Sequence, residues 1–245
     1  MSGIREVVLV QPPFVQLNSP YPAPYYLKGF LEKRGFRVTV LDHSIGLFEK
    51  IFCRSGLEQI FHDASLPSSL SKNRQNKNIA PIIERFLSER NLWLASIDRL
   101  IAFLRGRDPE WGHLLALANG CLPGGPRTDT FIAERDGEVS ADETKIFATM
   151  LFSDMADFIT CTLDSGFSLI RYTPLMEGSL NTGCRDFAAV KKSLDGYIMN
   201  AFYRPMLNEE WDRLEKAKSH GGPFLLGLTI PFPGCLSGAL VCAES

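Results

Sequence analysis

Pro223–Glu244 reads PFLLGLTIPFPGCLSGALVCAE, and the reading of this stretch decides the fold. Phe224–Ile230 is a continuous apolar run with a β-branched end, the pattern of a strand buried on both faces. Pro231-Phe232-Pro233-Gly234 makes a tight elbow, and an apolar helix is expected to open at about Cys235–Ser237. Strand, elbow and helix form half of a βαβ unit, which takes ligands outside the carboxyl ends of its strands. A buried parallel strand needs neighbours on both sides. Further strands are therefore expected, and this chain is expected to be the front part of a longer protein.

The partner strands are sought at the other end. Arg5–Gln11 (REVVLVQ) is a short β-branched strand stopped by Pro12-Pro13, which cannot donate to a ladder. After a proline-rich loop, Tyr25–Arg34 has helical spacing, with Tyr26 and Phe30, and Leu27 and Leu31, at i, i+4; one face is expected to be apolar. Gly35 supplies the helix stop, and Phe36–Leu41 is a second strand ending at Asp42-His43. This strand–helix–strand segment has the size of a right-handed βαβ crossover. The first loop, QPPFVQLNSPYPAPYY, contains no glycine. It cannot let backbone approach a pyrophosphate as G-x-G-x-x-G does, so NAD or FAD is not expected. Asp42 then reads as a cap for the next loop rather than as a ribose ligand.

Residues 45–220 read as a mostly helical insertion between the second and third strands. Helices are expected over Ile45–Ile60, Ile79–Leu104, Arg185–Leu194 and Asn208–Ser219, the last capped by Asn208. Ser65–Asn78 reads as a polar loop, and Arg105–Pro109 and Cys121–Arg127 as breaks. Ser140-Ala141-Asp142-Glu143 fits a capping box opening a helix to about Leu163. Phe167–Tyr172 is either a strand or an extended connector. The expected fold class is α/β: a Rossmann-like, flavodoxin-like, mostly parallel sheet with this insertion, all within one domain spanning 1–245.

Composition narrows the function classes. The chain has 245 residues, 45% hydrophobic and 22% charged, with formal net charge −2; with no sustained Lys/Arg run, a nucleic-acid footprint is not expected. No apolar run reaches the ~20 residues of a membrane span, and the N-terminus does not read as a signal peptide. The six cysteines stand far apart without a CxxC pair, which suits reduced thiols and a cytoplasmic address.

Few residues carry the signature of chemistry. His43 stands at a strand end where a ligand could sit, whereas His62, His113 and His220 have no partners at metal spacing. Cys235 at a helix start is either a nucleophile or a packing residue, with packing the simpler reading. Asp154, Asp157 and Asp164 are expected on the exposed face of their helix. The loops after the first and last strands would open on one sheet edge, suiting a large, mostly apolar ligand or a partner domain.

Taken in order, VVLVQPPF, SPYPAPYYLKGFLEKRGFRVTVLD and LLGLTIPFPGCLSGALVCA resemble the N-terminal cobalamin (vitamin B12)-binding-type domain of radical S-adenosylmethionine proteins. The matching positions are Gln11–Phe14, Pro22–Gly35, Asp42 and Thr229–Gly234. The resemblance implies a corrin, or a degenerate empty site, at the C-terminal edge of the sheet. Gln11, Pro12, Pro13, Phe14, Asp42, His43, Thr229, Pro231, Phe232, Pro233 and Gly234 would line it. The D-x-H-x-x-G signature of a histidine-ligated corrin is not present, since Asp42 and His43 are adjacent. CxxxCxxC is also missing from this chain, so the resemblance assigns the [4Fe-4S] cluster and S-adenosylmethionine to a C-terminal radical SAM domain beyond it. The alternatives are a non-enzymatic interaction or scaffold domain that has lost cobalamin binding, and a small-nucleotide-binding flavodoxin-like domain. An exposed sheet edge would also favour self-association.

Overall fold

The computed structural model describes residues 6–15, 17, 20–67, 69, 79–117, 122–135, 139–167, 187–217 and 224–245. In chain order it begins with β1 (Glu6–Gln11), α1 (Ala23–Glu32), β2 (Arg37–Asp42) and α2 (His43–Ile51). There follow α3 (Arg54–Ala64), α4 (Ala80–Ser88), α5 (Arg90–Leu104), α6 (Glu110–Leu117), α7 (Pro126–Ala133) and α8 (Thr144–Thr162). The last elements are α9 (Phe187–Leu194), α10 (Arg204–Ala217), β3 (Phe224–Leu228) and α11 (Leu236–Glu244). The protein is α/β, mostly helical, with one three-stranded parallel sheet in the order β2-β1-β3. The chain divides into two compact units, one of Met1–Lys50 with Leu169–Ser245 and one of Ile51–Ser168. Among the described residues no helix is long and apolar enough to cross a membrane.

In the sheet-bearing unit, β1 is the central strand, and Val7, Val8, Leu9 and Val10 are all buried. On one face Val7 and Leu9 pack with Val38, and Leu31, Phe36 and Val40 close over them. Because side chains alternate, Val8 and Val10 point to the other face. The doubly buried strand is therefore β1. Among the described residues β3 pairs with β1 alone, and Leu225 is 52% exposed; the second neighbour expected for Phe224–Ile230 is not among the described residues.

The helix after β1 starts two residues earlier than the spacing predicts, with Pro24 in its first turn. It stops as expected: Gly35 takes φ +84° while the N–H groups of Gly35 and Phe36 return to Glu32 O and Leu31 O. Its apolar side chains split between two faces. Leu31 joins the core, whereas Tyr25, Tyr26, Leu27 and Phe30 are exposed. Near the other end of this unit, α10 continues from a π-type turn over Met199–Tyr203. Pro205 directly follows this wider turn, which closes with Arg204 N–H on Met199 O, and a wide turn relieves the helix at a residue that has no N–H. Asn208 therefore lies inside the helix and does not cap it, a correction of the predicted start.

The described secondary structure of the second unit is all helical. Where one helix is predicted over Ile45–Ile60, the chain breaks at Phe52-Cys53, and Cys53 Sγ caps α3 by accepting from Gly56 N–H (3.4 Å). Its core is aromatic: the Phe86 ring stacks on Trp93 (5.4 Å) and on Phe158 (4.8 Å). Glu143 reaches back to the Ser140 N–H and hydroxyl, the acidic half of the predicted box. Asp154 departs from expectation. It is buried at 1% exposure and accepts from the N–H groups of Arg127 and Thr128 and from the Thr128 hydroxyl, at 2.8–2.9 Å. It caps α7 from a neighbouring helix, because Gly125 at that N-cap has no side chain to do so. Burial pushes its carboxyl pKa up against those three bonds. Asp157, by contrast, pairs at the surface with Arg127 (2.6 Å).

Candidate functional site

The sheet register brings the two ends of the chain together. Gln11 lies opposite Asp42, Val10 lies opposite Leu228, and all pairings are parallel. Thr229 N–H continues the ladder to Val10 O (3.0 Å). The exits Gln11–Phe14, Asp42-His43 and Thr229–Gly234 thus leave one edge of the sheet. The chain runs from β1 to β2 on one side and returns to β3 on the other, so its direction across the sheet reverses between β1 and β3. In open parallel sheets ligands bind at such a switch point.

At that point Gln11 is 2% exposed. Its Nε2 is directed at Thr229 O (3.4 Å) and Pro12 O (3.5 Å). Two carbonyl oxygens on one side settle which end of the amide is nitrogen, since a flipped amide would set oxygen against oxygen. Gln11 Oε1 therefore faces the other way, where it is buried and has no hydrogen-bond partner among the described residues. Leaving such an acceptor unpaired costs about 1–3 kcal/mol.

The Pro12–Val15 turn beside it is tightly held. Ser44 Oγ donates to Pro12 O (2.9 Å) and accepts from Val15 N–H (3.1 Å), closing the turn at both ends. Pro13 lies against Gly238 of α11 so closely that a Cβ there would sit 2.6 Å from its ring. Within this clamp Phe14 adopts φ +71°. A non-glycine residue there stores of order 1–3 kcal/mol.

The remaining predicted residues divide clearly. Asp42 accepts from the N–H groups of Ser44 (3.0 Å) and Ile45 (3.1 Å), so its carboxylate caps α2. This is the capping role anticipated for it. His43 is buried, at 1% exposure. Its Nδ1 meets Tyr203 Oη at 2.9 Å, and its Nε2 approaches Glu210 Oε2 at 2.6 Å. The second contact has ion-pair distance without in-line hydrogen-bond geometry. Beyond β3, Thr229, Pro231 and Gly234 are half-buried, and Phe232 is exposed with its ring edge-on to Tyr21 (6.3 Å). Pro233 begins the turn before α11, and its side chain lies outside the described residues. So do Phe167–Tyr172 beyond Phe167, most of Ser65–Asn78, Cys121, Cys184 and His220.

Around these exits lie the Pro12 and Thr229 carbonyl oxygens, the buried Gln11 amide and the exposed Phe232 ring. Cys235 is buried beside them, with its Sγ 3.9 Å from Phe14 O. Burial pushes its thiol pKa up to about 11, so it packs as a neutral thiol at neutral pH. Burial likewise raises Cys242 to about 11, opposed by its hydrogen bond with Tyr203. Among the described residues no group of three or more His, Cys, Asp or Glu side chains could hold a metal ion.

Sequence reasoning missed Ser44, Gly238, Tyr203 and Glu210. The small-residue run Ser237-Gly238-Ala239 after the elbow was the one available signal, marking a place where another backbone comes close. No protein-family model, curated protein or solved structure matches this chain.

Proposed function

We propose that the chain is the N-terminal cobalamin-binding-type domain of a radical S-adenosylmethionine enzyme. It would hold a corrin, or retain a degenerate site, at the C-terminal edge of its sheet beside a separate radical SAM domain. The observation that carries this reading is the order β2-β1-β3 with both proline-containing exits at the β1/β3 switch point. This is the start of the flavodoxin-like order 2-1-3-4-5, here interrupted between β2 and β3 by the helical segment. The sequence resemblance of QPPF and TIPFPG to that family supports the same placement.

The residues suit a corrin held by backbone groups and apolar contact. Gln11–Phe14 and Thr229–Gly234 would flank it, with the Thr229 hydroxyl and the unpaired Gln11 Oε1 as polar contacts. They do not suit a corrin ligated by histidine, because His43 is buried with Nδ1 on Tyr203 Oη and Nε2 facing Glu210. When bound, cobalamin supplies a cobalt centre that can carry a methyl group; the chain's part is to bind, orient and shield it.

The test is to mix the purified chain with hydroxocobalamin, desalt it and read the retained absorbance. Retention at about one corrin per chain is expected, and Thr229→Val should weaken it. A colourless protein refutes the corrin reading.

A second reading is a protein-interaction domain with an empty site. It is favoured by the exposed rings of α1, where Tyr26 is 79% and Phe30 52% exposed. Failure to retain corrin, together with loss of a partner on Tyr26→Ser/Phe30→Ser substitution, would decide for it.

A further inference from the structure

Resting on the corrin reading, we propose that Gln11 is the specificity residue at this sheet edge. Its Oε1 accepts a hydrogen bond from an uncharged N–H donor of the ligand, one of the peripheral amides of the corrin. Two observations at the same spot lead there. The Gln11 amide is oriented by Thr229 O and Pro12 O, which leaves Oε1 buried and unpaired. The turn that follows Gln11 in the chain, Pro12–Val15, holds Phe14 at φ +71°. A protein interior seldom keeps an unpaired acceptor unless something else completes it. The strained residue sits in the segment that must move to admit a donor. Opening the turn exposes Oε1 and lets Phe14 leave the left-handed region, so both local costs are relieved in the liganded state.

The chemical class is set by the acceptor. A carboxylate or phosphate has no proton to offer Oε1 and would face it oxygen to oxygen. A cationic donor would be drawn to Asp42, whose carboxylate keeps its charge while Oδ1 caps α2, rather than to the uncharged Oε1. A neutral amide matches, and the corrin rim carries several.

The experiment uses the full 245-residue chain, hydroxocobalamin, and a set of cobalamins each with one peripheral amide hydrolysed to a carboxylate. Binding is measured by equilibrium dialysis. In the wild-type protein one member of the set is expected to bind roughly tenfold more weakly than the parent, as for one lost hydrogen bond. In Gln11→Met, which keeps the side-chain length without the amide, the parent weakens by a similar factor and that discrimination vanishes. Equal wild-type affinity for every member overturns the assignment, and this arm does not depend on the variant folding. Discrimination that persists in Gln11→Met overturns it too, as expected if a trapped water already satisfies Oε1; in both cases the corrin reading stands. No retention of the parent by the wild-type protein removes the corrin reading and the assignment together.

Discussion

Gly238→Ala isolates the contact that clamps the proline turn. Gly238 lies in the first turns of α11, and an added Cβ would meet Pro13 Cδ and Cγ at 2.6 Å each and Pro13 N at 3.4 Å. Such separations force something to shift. The neighbour is a stiff ring in a turn tied by Ser44 at both ends, so overpacking of about 1–3 kcal/mol is expected. Replacing a helical glycine by alanine recovers about 0.5–1 kcal/mol, which is too little to reverse the sign. Gly29→Ala is the control, because Gly29 is in α1 and its Cβ would meet nothing within 4 Å; it should gain that amount. The two identical substitutions should therefore separate by about 1–3 kcal/mol. At 1.4 kcal/mol per decade, this is roughly a fivefold to hundredfold difference in exchange rate. Amide hydrogen exchange of β1 peptides is the suitable assay, since it reports the sheet-bearing unit by itself. Exchange should quicken in Gly238→Ala and slow in Gly29→Ala, and Pro13→Ala should rescue the first but not add to the second. Equal protection in the two glycine variants, or no rescue by Pro13→Ala, would refute the reasoning.

Asp154→Ala should destabilise the helical unit by about 2–4 kcal/mol, because it strips three bonds from the start of α7; exchange of α7 amides measures it, and a change below about 0.5 kcal/mol would contradict the capping role. His43→Ala should cost the sheet-bearing unit about 1–3 kcal/mol by removing a buried ring and its hydrogen bond with Tyr203 Oη, which keeps only Cys242 among the described residues. The partly exposed Glu210 keeps Arg213 at 2.9 Å, which holds the loss below that of a fully buried pair; urea unfolding monitored by Trp211 emission reads it. Cys235 and Cys242 have folded pKa values raised to about 11, so the native state holds their protons more tightly than the unfolded chain. Their stabilisation is complete below the ordinary thiol pKa and is lost as pH rises from about 9 to 11. β1 protection should fall across that window, less so in Cys235→Ala. Alkylation at pH 8 should correspondingly label Cys53 ahead of both buried thiols, as mass spectrometry of the digested peptides would show.

Much of the architecture was local enough to be legible. The Pro12-Pro13 stop, the Gly35 cap, the end of β2 at Asp42 and the Ser140–Glu143 start each depend on neighbours within a few positions. Residues that close together in the chain meet in almost any fold. The parallel pairing of β1 with β3 was also inferable, because two apolar runs with proline exits have few other ways to bury their surface. What tertiary structure alone decided concerns partners far apart in sequence. β1 became the doubly buried strand, between β2 and β3, because sheet order is a property of the assembled strands. Asp154, read as a surface residue, became a buried cap because α7 begins beside it without a side chain of its own to serve. His43 was drawn into a cluster with Tyr203 and Glu210, some 160 positions away. Gln11 acquired an unpaired oxygen only once Thr229, 218 positions on, took the other end of its amide. Backbone preferences act over one or two turns, whereas burial and hydrogen-bond satisfaction are settled by whichever distant groups arrive.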